Sequence, residues 1–93
     1  MSQEMINTII AILGKYSVSM VGLFGSYARG EQTAESDLDI LVRFRERVSL
    51  LTQVGIEREL SEELGIKVDL LTEQALSPYL ADRIRSELKV IYQ

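Results

Sequence analysis

Two short apolar runs constrain this chain more than anything else in it. They are Val18–Phe24 (VSMVGLF) and Leu38–Phe44 (LDILVRF), separated by a polar, glycine-punctuated stretch, GSYARGEQTAESD, from Gly25 to Asp37. Both runs are short and rich in β-branched or apolar residues, so each reads as a buried strand. Ahead of them, Met5, Ile6, Ile9, Ile10, Ile12, Leu13 and Tyr16 fall on one side of a helical wheel, with Gly14 weakening the last turn. After a charged connector, Arg43 to Arg47, a second helix is expected from about Val48 to Leu64. Leu50, Leu51, Val54, Leu60 and Leu64 lie within half of its wheel, and Gly65 is placed to end it in the left-handed conformation. Ile66–Leu71 (IKVDLL) reads as a third strand. Ser77-Pro78 is a helix-start signature, followed by a Leu80, Ile84, Leu88 stripe, and Val90-Ile91-Tyr92 suits a short edge strand. The apolar stripes of the helices are expected to be core. The fold class is therefore α/β (α+β), one small mixed sheet packed by helices, with residues 1–93 as a single domain.

Composition narrows the chemistry. The chain has 93 residues, a size at which only about 60–65% of the unfolded surface is buried. Ten basic residues against fourteen acidic ones leave a net charge of −4, which argues against a basic nucleic-acid surface. Histidine and cysteine are absent, which excludes disulfides, zinc sites, thiol nucleophiles and imidazole bases. What remains is carboxylates, hydroxyls, Lys and Arg, backbone amides and hard cations. No apolar run approaches the ~20 residues that span a bilayer, and MSQEMINTII lacks the basic start of a signal peptide, so a cytoplasmic protein without membrane contact is expected.

Three places break the local rules. Gly25-Ser26 directly follows a strand: glycine lets the backbone turn sharply and approach a ligand, and a hydroxyl with exposed amides suits a phosphate. Taken alone, it is also the pattern of an ordinary strand-to-helix turn with Ser26 as cap. Asp37-Leu38-Asp39 enters a strand, so its two carboxylates point the same way, about 7 Å apart along the backbone. Like charges so placed repel unless a cation sits between them, and Mg²⁺ is the natural occupant; a solvated turn is the plain alternative. Asp69 interrupts an otherwise buried strand, which calls for a pairing partner or a metal. If the third strand neighbours the second, Asp69 joins the other two carboxylates.

Together, these residues resemble a known signature. GSYARGEQTAESDLDILVRF is similar to the motif of the minimal nucleotidyltransferases, a branch of the DNA polymerase beta-like superfamily. In that motif Gly-Ser is followed by ten residues and then Asp-X-Asp; here Tyr27 to Ser36 separate Gly25-Ser26 from Asp37-Leu38-Asp39. Asp69 takes the place of the family's third carboxylate. The resemblance implies a nucleotidyltransferase fold, ATP as substrate and Mg²⁺, in two ions. Gly25 and Ser26 would hold the phosphates, with Arg29 either at the phosphates or bracing the loop. Asp37, Asp39 and Asp69 would ligate metal, and Asp69 would also orient or deprotonate the acceptor hydroxyl. Members of this size resemble antitoxins of type VII toxin–antitoxin pairs, which transfer AMP to a tyrosine of a HEPN toxin. The resemblance thus implies that toxin and a nucleoside triphosphate as partners, with no direct nucleic-acid binding. An antitoxin that neutralises by binding alone is the alternative, and transfer to a small molecule or an RNA end is a weaker one. Gly-Ser and three clustered aspartates favour catalysis, because a binding module has no physical need of them.

Overall fold

The computed structural model describes residues 1–93. Both apolar runs form strands, β1 (Val18–Phe24) and β2 (Leu38–Phe44), paired antiparallel with Val18 opposite Phe44 and Phe24 opposite Asp39. Before them stands helix α1 (Gln3–Leu13), capped by Ser2, whose hydroxyl accepts the Met5 N–H, and followed by a 3₁₀ turn at Gly14–Tyr16. Between them, Gly25–Arg29 forms a one-turn helix, α2. Helix α3 (Leu50–Leu64) is the crossover that lets β3 (Val68–Thr72) lie parallel to β2. A 3₁₀ turn at Glu73–Ala75, helix α4 (Pro78–Glu87) and strand β4 (Lys89–Tyr92) complete the chain. Strand β4 pairs antiparallel with β1, so the sheet runs β3-β2-β1-β4.

Most of the core is on one face of that sheet. Ile9, Ile12 and Leu13 of α1 and Ile56 and Leu60 of α3 pack on Val21, Leu23, Leu38, Ile40, Val42, Val68 and Leu70. The other face is thinner: Met20, Leu41 and Ile84 are buried, with Phe24, Leu71, Leu76 and Leu88 partly covered around them. Because strand side chains alternate, Asp39 shares this second face with Leu41, and Asp69 shares it with Leu71. Strand β3 is an edge, and α3 binds it. Ser61 Oγ accepts the Val68 N–H at 3.0 Å and Glu57 Oε2 accepts the Leu70 N–H at 2.8 Å.

The structure corrects several expectations. Helix α3 starts at Leu50, where Ser49 caps it, rather than at Val48. Its first turns do not face the core: Leu50 is 75% exposed, Leu51 83% and Val54 46%, while Ile56 is buried. At about 100° per residue, Ile56 and Leu60 mark the side that packs on the sheet, and Gln53, half-buried, lies on that side too. Leu51 lies on the opposite side from Leu60, and Leu50 and Val54 lie between. In α4 the buried stripe is Ala81 and Ile84, and Leu80 is turned outward. Strand β3 begins at Val68, not Ile66. No helix is long and apolar enough to cross a membrane.

Candidate active site

Backbone register assembles the site. Phe24, the last residue of β1, lies opposite Asp39, and Asp39 lies beside Asp69 in the parallel β2–β3 pair. The end of β1 and the beginnings of β2 and β3 thus meet at one end of the sheet, bringing Gly25 together with the aspartates. Neighbouring strands run about 4.8 Å apart, which puts the Asp39 and Asp69 side chains next to each other on the thinly covered face. The sequence-based condition for Asp69 to join the pair is met.

Gly25 is required twice over. Its φ is +74°, a left-handed conformation that L side chains rarely adopt, and a Cβ at this position would overlap the Asp39 carboxylate. Strand β1 can therefore turn into α2 directly against Asp39 only through a glycine. Ser26 follows in the same turn, half-buried, and the buried Ala28 anchors α2 to the core. Gly30, at φ +72°, ends the helix.

Asp37 is half-buried and sits 3.6 Å from Lys67 Nζ. The Leu38 N–H donates to the Lys67 carbonyl at 2.9 Å, which ties the start of β2 to the start of β3 and brings those two side chains together. Asp39 feels the crowding of charge most. Burial pushes its carboxyl above the ordinary value, the neighbouring Asp69, Asp37 and Glu87 push it further, and Arg29 opposes them. Arg29 has a bracing arrangement, its Nε donating to Glu31 at 2.7 Å and its Nη1 to Glu87 at 3.1 Å. Those two carboxylates raise its pKa.

One site residue was not marked by the sequence reading. Glu87 Oε1 accepts the Gly25 N–H at 2.9 Å, and this bond, with Arg29, holds Glu87 below the usual carboxylate range. A signal for it was present: an acidic residue in the last turn of a helix opposes the helix dipole and needs outside compensation.

The donor set suits a hard divalent cation. It is all oxygen, and it concentrates negative charge on neighbouring strands, most acutely at Asp39. Asp39 and Asp69 are adjacent carboxylates, and Asp37 belongs to the same charge cluster. No three acidic side chains converge into a finished chelate, as expected of like charges that repel. A cavity of about 360 Å³ lies elsewhere, beyond the far end of β2 among Arg45, Arg47, Gln53 and Gln74, and none of the six sequence-marked residues lines it. The aspartates occupy an open sheet end rather than a closed pocket.

Residues 6–91 match the family described as nucleotidyltransferase domain. The chain belongs to that family. As a nucleotidyltransferase it is 50% identical over 84 residues to a candidate protein adenylyltransferase of Methanocaldococcus jannaschii, covering 90% of each chain. It is 40% identical over 74 residues to the protein adenylyltransferase MntA of Thermococcus cleftensis, covering 80% of this chain and 75% of that one. Among solved structures, it superposes with a TM-score of 0.87 on a chain of a toxin–antitoxin crystal structure with AMP-PNP. The two are 27% identical, and the match covers 94% of this chain and 72% of the other. The fold and enzyme class implied by the motif are those of the family.

Proposed function

We propose that this nucleotidyltransferase is an antitoxin that transfers AMP from ATP to a tyrosine hydroxyl of a HEPN toxin. The observation that carries the reading is the register: Asp39 beside Asp69, with Gly25 turned against Asp39. The relatives named protein adenylyltransferase and the toxin–antitoxin complex with an ATP analogue support the choice of substrate and partner. A thinly covered sheet face, on which the aspartates are only half-buried, suits a pocket completed by the partner's surface.

Gly25 and Ser26 receive the phosphate chain, the glycine allowing the backbone amide to approach without a side chain in the way. Asp37, Asp39 and Asp69 would hold Mg²⁺, which when bound polarises the phosphoryl group and steadies the leaving oxygens. The acceptor hydroxyl attacks the α-phosphorus in line. A bond forms from the tyrosine oxygen to phosphorus, the bond to the bridging α–β oxygen breaks, and pyrophosphate leaves. Asp69, on the edge strand β3, orients that hydroxyl and takes its proton. Before nucleotide binds, Arg29 braces the phosphate loop through Glu31 and Glu87.

The test in cells is co-expression with a HEPN toxin. Wild-type protein restores growth, whereas Asp37→Asn/Asp39→Asn still associates with the toxin but leaves it active. Full rescue by the double variant would instead establish neutralisation by binding alone.

A further inference from the structure

Glu87 holds the site from outside the motif. Its position is set from behind by Gly22, in the middle of β1. A Cβ on Gly22 would come within 2.5 Å of Leu88 Cδ1, so the bare glycine is what allows Leu88 to settle on the strand. That contact pins the end of α4 over β1 and points the preceding residue, Glu87, at the turn that follows the strand. Both carboxylate oxygens are then used: Oε1 takes the Gly25 N–H at 2.9 Å and Oε2 takes Arg29 Nη1 at 3.1 Å. A carboxylate bridging a turn amide and a guanidinium uses the two kinds of donor that bind a phosphate. It also adds to the negative charge around Asp39. A triphosphate reaching Gly25 therefore meets an anion already seated on the amide, and one N–H cannot serve both.

We propose that Glu87 is a displaceable stand-in for phosphate. In the nucleotide-free protein its carboxylate occupies the Gly25 amide and Arg29, and a nucleoside triphosphate binds by taking these donors from it. The inference rests on the reading that Gly25 and Ser26 receive the phosphates. A contact present only in the free protein stabilises that form and weakens nucleotide binding to the same degree, so its removal acts in opposite directions on the two.

The experiment is calorimetric titration of the full chain with AMP-PNP and Mg²⁺, alongside thermal melts with and without the nucleotide. Wild type, Glu87→Ala, Glu87→Gln and, as the site control, Asp39→Asn are compared. Glu87→Ala is expected to bind AMP-PNP about 3- to 70-fold tighter, the range for one net hydrogen bond plus a half-exposed ion pair. It is expected to melt below wild type without nucleotide and to close that gap at saturation. Glu87→Gln, which keeps an acceptor for Gly25 but loses the charge, falls between them. Equal or weaker affinity in both Glu87 variants, with wild-type binding intact, would overturn the inference and leave Glu87 a structural staple. Absence of wild-type binding, or binding indifferent to Asp39→Asn, would instead sink the nucleotide reading, and the inference with it. Should Glu87→Ala not fold, the Gly25 amide resonance of the wild type carries the test. It is expected to shift on addition of AMP-PNP and to start from a displaced position in Glu87→Gln, and an unmoved resonance contradicts the proposal.

Discussion

Gly25 and Asp39 constrain each other, one by lacking a side chain and the other by placing its carboxylate where that side chain would be. Gly25→Ala therefore incurs both a left-handed backbone and a steric overlap. The expected loss is about 1–3 kcal/mol for the backbone alone, read by denaturant melts, with transfer activity falling as Asp39 is pushed aside. Asp39→Asn acts in the opposite sense on stability. Burial and like charges hold the Asp39 carboxyl up, so its ionised form strains the folded state at neutral pH. The variant should melt at a higher temperature than wild type without divalent ions, while losing at least about 100-fold in activity, the scale for one lost transition-state contact. The aspartates and Gly25-Ser26 were legible in the sequence because each breaks a local rule within a few residues. Glu87 carried only the signal of an acid in a helix's last turn, because its role depends on Leu88 meeting Gly22 across the fold.

Among the elements, α3 shows where helical periodicity misleads. Leu50, Leu51 and Val54 share an apolar half-wheel with Leu60, yet the side that packs on the sheet is the one marked by Ile56 and Leu60, and Leu51 lies opposite Leu60. A half-wheel is wide enough to hold both a core-facing and a solvent-facing edge. Leu60→Ala should cost about 2–5 kcal/mol and Leu51→Ala less than about 0.5 kcal/mol, measured by urea denaturation. Strands β1 and β2 followed their apolar runs to the residue, since a buried strand carries its own signal. The turn after β3 is held by Glu73, which accepts from Arg43 Nε at 2.9 Å and from Arg85 Nη2 at 3.3 Å. The Arg43 hydrogen bond, then Arg85, keeps the Glu73 carboxyl below its ordinary value of 4.5. A carboxyl lowered in the folded state adds stability above its unfolded pKa and loses it as pH falls through the folded one. The stability gap between wild type and Glu73→Gln should thus be constant near neutrality, narrow below about pH 4.5 and vanish in stronger acid, as followed by melts across that range.

For the whole molecule, the sheet order β3-β2-β1-β4 decides the site. The sequence placed Asp69 on a strand but left its neighbour open, because pairing partners are chosen by the crossover and not by the strand's own residues. Once α3 carries the chain over to the free edge of β2, Asp69 falls beside Asp39. The net charge of −4 also acquires a location: three of the four aspartates stand at one sheet end, where negative charge gathers around Asp39. The most direct test of that assignment is transfer itself. The purified chain is incubated with α-labelled ATP, Mg²⁺ and a HEPN toxin, in parallel with Asp37→Asn/Asp39→Asn. The account predicts label on the toxin, on a tyrosine, with the wild type and none with the double variant. A toxin that stays unlabelled, yet is silenced equally by both proteins, would contradict it.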